Sequence, residues 1–218
     1  MLNLARLKGF VHLVRWLGPT GDPNRKPRVM EEDLWLDDGQ GGRLRVKLYR
    51  PAEASPFAPL LLIPGVHYEA ADDQRFDRFA AILARAGFFV WTPYLNDFLK
   101  LRITPRVLEE AGLAFRALLA HPQRPPGKIG ILSISFGSWP ALRLGSDERY
   151  ATDIGGILTF GGYAQWDVAF RFAMEGGGPG RPYDPLNRPV VFLNLQPLLP
   201  PTLLCRTGPQ RDVGGASG

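Results

Sequence analysis

The chain has 218 residues, enough for one domain with a real hydrophobic core. Its 45% hydrophobic content is that of a globular protein, and no apolar run approaches the roughly 20 residues that span a bilayer. The net charge of +5 comes from scattered Arg and Lys residues without a clustered basic stripe, which argues against a nucleic-acid partner.

Leu4, Leu7, Val11 and Val14 recur at helical spacing with Phe10 and Leu17 beside them, so residues 1–20 are expected to hold an amphipathic helix. One reading packs its apolar stripe on the domain, and this is the expectation carried forward. The other lays a basic amphipathic helix on a membrane surface, as a weak contact. Arg6, Lys8 and Arg15 interrupt the segment, which has no continuous apolar core of a signal peptide. A single cysteine, Cys205, excludes an intramolecular disulfide. Together these features suggest a cytoplasmic protein.

"VMEEDLWLDD" and "GRLRVKLYRP" read as a β-hairpin, because Leu44, Val46 and Leu48 alternate with polar residues at period two. "PLLLIPG" is a continuous apolar run, as in a strand buried on both faces. A helix follows, with Phe76, Phe79, Ala80, Leu83 and Ala86 on one face and Gly87 as its stop. "FFVWTPYL" is a strand. Thr104 as N-cap and Pro105 as first residue open a helix that runs towards Pro122. "KIGILSIS" is a strand, "GSWPALRLG" a helix and "IGGILTFGG" a strand. "YAQWDVAFRFAME" is expected as a helix and "VVFLNL" as one more strand. The order predicts a three-layer α/β fold, its sheet mostly parallel with an antiparallel N-terminal hairpin. The expected division is an N-terminal helix at 1–20, a core at 28–195 and an irregular tail at 196–218.

The chemistry concentrates at "ILSISFGSWPA". A serine raised on a tight strand-to-helix turn needs small residues two before and two after it. Ser135 satisfies this with Ser133 and Gly137; Ser133 fails on Ile131, and Ser138 fails on Phe136. The competing interpretation is an ordinary serine N-cap. An oxyanion hole needs two N–H groups aimed at the developing charge. Phe136 follows the serine, and Gly65 in "IPGVHYEA" lets backbone come close, so Phe136 and Val66 are the candidate donors.

These segments, with Ser133 where the G-x-S-x-G pattern has glycine, resemble the α/β-hydrolase superfamily over roughly residues 28–195. The likeness is greatest to serine esterases of the dienelactone-hydrolase type. The resemblance implies an incomplete α/β-hydrolase core that ends early at its C-terminus, with Ser135 as nucleophile on a small-molecule ester or acyl substrate and no cofactor. It also implies an acid and a histidine after the serine. All three histidines, His12, His67 and His121, precede Ser135. Asp167 could serve as an acid but has no later histidine to orient. His67, beside the oxyanion loop, is the candidate substitute base. The alternative is a truncated, catalytically inactive hydrolase fold. A sheet edge left uncovered by early termination invites self-association. No His or Cys pair stands at metal-ligand spacing.

Overall fold

The computed structural model describes residues 4–39, 41–163, 165–176 and 187–198. Helix α1 spans Leu4–Leu17. Strands β1 (Val29–Asp37) and β2 (Arg43–Pro51) form the expected antiparallel hairpin. Then come β3 (Ala58–Ile63), α2 (Gln74–Arg85), β4 (Phe88–Pro93) and the short α3 (Asn96–Leu99). Next are α4 (Arg106–Ala120), β5 (Ile129–Ile134), α5 (Ser138–Gly145) and β6 (Ile154–Phe160). Helices α6 (Trp166–Glu175) and α7 (Asn187–Leu195) complete the described elements. The chain divides into two compact units, Met1–Ala169 and Phe170–Gly218.

The first unit carries a six-stranded sheet in the order β1-β2-β4-β3-β5-β6. The pairs β4–β3, β3–β5 and β5–β6 are parallel, and β2 meets β4 antiparallel. β3 and β4 read as apolar runs because helices cover both of their faces. On one face Leu60, Leu62, Val90 and Tyr49 pack with Phe76, Ala80 and Leu83 of α2. α4 packs against β3 and β4, and α5 against β5 and β6. Asp73 caps α2 by accepting the N–H groups of Arg75 and Phe76, and Gly87, at a φ of +110°, ends it as the sequence implied.

Two expectations are corrected. "VVFLNL" is not a strand but part of α7. Its burial explains why: Val190 and Val191 are buried and Asn194 and Leu195 half-buried, a helical recurrence that six apolar letters cannot distinguish from a strand. The second concerns α1, whose apolar stripe is not packed on the domain. Leu4, Leu7, Phe10, Val11, Val14 and Leu17 are all exposed. What seats α1 is Gly9, where a Cβ would come within 2.3 Å of the Ala86 carbonyl oxygen. The backbones approach so closely that the contact falls on the small residue rather than on the leucines.

Beyond residue 198 the expected tail lies outside the described residues. Among the described residues, no helix is long and apolar enough to cross a membrane.

Candidate active site

β5 delivers the chain to the C-terminal edge of the sheet, and Ile134 is its last residue. Ser135–Gly137 then form one tight 3-10 turn and α5 begins at Ser138. Ser135 has a φ of +51°, in the left-handed region that a serine seldom occupies. That conformation turns the chain through a sharp corner and leaves Ser135 half-buried at its apex.

The neighbours explain the small residues. A Cβ on Gly137 would lie 2.5 Å from the Pro64 carbonyl oxygen and 2.9 Å from that of Ile63. The turn is therefore pressed against the end of β3. A Cβ on Gly65 would stand 3.1 Å from Ser135 Cβ, so the loop after β3 passes directly over the serine. Ser133 pairs in register with Ile63 on one side and Thr159 on the other and is fully buried. The structure thus brings Ser133, Ser135, Gly137 and Gly65 together.

The loop after β3 is itself held in shape. Ala70 takes a left-handed φ of +47°, its N–H donates to the His67 carbonyl, and Asp72 N–H donates to that of Glu69. Val66 is half-buried next to Gly65. Among the described residues its N–H has no backbone acceptor, which leaves it available.

His67 faces Asp73, with Nε2 4.0 Å from Oδ2. Its Nδ1 accepts the Glu69 N–H at 3.2 Å. In the neutral tautomer that accepts at Nδ1, the proton sits on Nε2, beside Asp73. Neither nitrogen is then a free base in this arrangement. The ring also stacks on Tyr68, with centroids 4.6 Å apart. Glu69 completes a set of three potential cation ligands with His67 and Asp73. Two of the three already have partners: His67 Nδ1 accepts the Glu69 N–H, and for Asp73 burial opposes ionisation but Arg75 and two backbone N–H groups outweigh it and hold the carboxyl below the usual range. The Asp73 oxygen nearest His67 is also the one bound by Arg75.

The other two histidines lie away from the turn. His121 ends α4 with its ring against Phe89 and Trp91. Phe89 and Trp91 pair with Pro59 and Leu61, four and two residues before Ile63, so the ring lies about 7–13 Å short of the sheet's C-terminal edge. Burial pushes the His121 imidazole down from its ordinary value. His12 lies in α1, lowered by burial and by Arg85 and Arg15.

An aromatic cluster at the turn escaped sequence reasoning. Phe136 packs on Tyr163 and Trp166 at 5.1 and 5.3 Å, and Trp139 meets Trp166 edge-on at 6.2 Å. The signal was present as aromatic residues one and four places after Ser135 and just after β6. A separate cleft of about 740 Å³ lies between α4, α5 and residues 146–150. Its lining includes Arg116, Arg143 and Arg149 but none of the residues around Ser135.

No protein-family model and no curated protein sequence matches this chain. Solved structures do resemble it. One is brefeldin A esterase, a bacterial homologue of human hormone sensitive lipase, at 18% identity and TM-score 0.54, covering 70% of this chain and 46% of that one. Fungal esterases from Rhizomucor miehei match at 16% identity and TM-score 0.52, covering 74% and 54%. Pyrococcus horikoshii acylaminoacyl peptidase matches at 13% identity and TM-score 0.52, covering 69% and 26%. The chain therefore spans between about a quarter and a half of the length of these structures. With the sheet order and strand pairings described above, these likenesses show the α/β-hydrolase fold.

Proposed function

We propose that this chain carries a serine-hydrolase site for carboxylic ester or related acyl bonds, with Ser135 as its nucleophile. The observation that carries the reading is the positive φ of Ser135 at a strand-to-helix corner wedged between Gly137 and Gly65. A serine that merely capped α5 would not require a strained conformation, which costs on the order of 1–3 kcal/mol. That strain lifts the hydroxyl above the sheet edge, where an acyl carbon can reach it. Neighbours of the same fold include esterases and acyl peptidases, which supports this chemistry.

In the proposed reaction Ser135 Oγ attacks the acyl carbonyl and the oxygen gains the negative charge. The N–H groups of Phe136 and Val66 receive that oxygen. The serine proton passes to a base and then to the leaving alcohol or amine, and water releases the acyl group by the same route in reverse. His67 is the histidine on this edge of the sheet. To act as the base it must release the Glu69 N–H and turn one lone pair towards Ser135.

The test is fluorophosphonate labelling of the folded chain, with the adduct located by peptide mass spectrometry. Labelling at Ser135, abolished by Ser135→Ala and at least tenfold slower in His67→Gln, is the expected result. Folded protein that takes up no probe would make the turn an inherited shape without its chemistry.

A further inference from the structure

The stripe on α1 is an exposed surface that the hydrolase reading does not use. At about 100° per residue, Gly9, His12, Leu13 and Trp16 share one side of the helix. Gly9 is buried against Ala86, Leu13 packs on the core cluster, and His12 and Trp16 are half-buried. Arg78 of α2 donates to the Trp16 carbonyl and to those of Asp22 and Arg25 beyond it, clamping this side down. The orientation of α1 is therefore fixed, and the opposite side faces outward.

That outward side is apolar along its whole length. Leu4 is 65% exposed and Phe10 62%, with Leu7, Val11, Val14 and Leu17 between and beside them. The cations border this stripe on both flanks: Arg6 next to Leu17 and Phe10, Lys8 and Arg15 next to Leu4. No Asp or Glu occurs anywhere in Leu4–Leu17. An apolar face two to three residues wide, edged with Lys and Arg whose stems lie along hydrocarbon while their heads reach phosphate, matches the interface of an anionic bilayer. A groove on a protein partner would place no such demand on both flanks.

We infer that α1 lies flat on an anionic lipid surface, its Leu4–Leu17 stripe among the acyl chains and Arg6, Lys8 and Arg15 at the headgroups. The test is flotation of the full chain with vesicles of phosphatidylcholine alone and of phosphatidylcholine mixed with phosphatidylserine. Binding to the mixed vesicles, weakened by salt, is expected. The double variant Leu7→Asp/Val14→Asp should no longer float. Each of Arg6→Gln, Lys8→Gln and Arg15→Gln should weaken binding about fivefold. All of these positions are exposed, so circular dichroism and cooperative unfolding should stay as in the parent chain, separating lost binding from lost fold. Failure to float with mixed vesicles, flotation indifferent to lipid charge, or flotation unchanged by the double variant would each overturn the inference. So would an oligomer, formed without vesicles, that the double variant dissolves while the parent ignores lipid; the stripe would then be a contact between copies.

Discussion

Ser135 keeps its left-handed backbone because its surroundings leave no relaxed alternative, and Gly137 is the residue on which this depends. The atoms that a Gly137 side chain would meet are carbonyl oxygens of β3 and its exit, held by the sheet and unable to rotate away. Gly137→Ala is therefore expected to lower stability by about 3 kcal/mol and to abolish probe labelling at Ser135. Gly156→Ala is the matched control, since open space surrounds that position, and urea unfolding should leave it within about 0.5 kcal/mol of the parent. This part of the site could be read from the sequence because its determinants lie within five residues of one another. The His67–Asp73 contact could not. It depends on a loop closed by the left-handed turn at Ala70, a conformation that no letter in "VHYEAADD" announces.

At the scale of elements, the apolar runs that became β3 and β4 were legible because burial on both faces leaves no choice of composition. Patterns with one exposed side were less so. The leucines of α1 predict a helix correctly but not which side faces inward, because a glycine contact decides that. The sheet's two edges show a related contrast. β1 carries Glu31, Glu32, Asp33 and Asp37, charges that discourage pairing with another strand. β6, "IGGILTF", has no charge and exposes Leu158 and Phe160. Leu158→Lys gives this edge the missing charge at an exposed position. It is expected to raise the concentration the protein tolerates before it self-associates, as read by light scattering; an unchanged threshold would remove β6 from the account of any association.

At the scale of the first unit, one polar cluster ties the segment before β1 to the hairpin and α2. Asp77 of α2 accepts from Lys47 and from the buried Tyr49 hydroxyl, both at 2.9 Å, and pairs with Lys26. Glu31 of β1 pairs with the same two lysines. Burial pushes the Asp77 carboxyl up, but the hydrogen bonds from Lys26, Lys47 and Tyr49 outweigh it, and the group ends below its ordinary value. A carboxyl held lower in the folded chain than in the unfolded one binds fewer protons when folded. Its contribution is therefore complete above about pH 4, the unfolded value, and is lost as pH falls through the lower folded value. Asp77→Asn is expected to cost about 2 kcal/mol at neutral pH, a moderate figure because Glu31 still serves Lys47. The difference between parent and variant should shrink steadily below about pH 4 as the parent's own carboxylate is protonated. Urea unfolding of both proteins across that range measures it. A gap that stayed constant down to acid would mean that the cluster stabilises by packing and neutral hydrogen bonds rather than by the charge on Asp77.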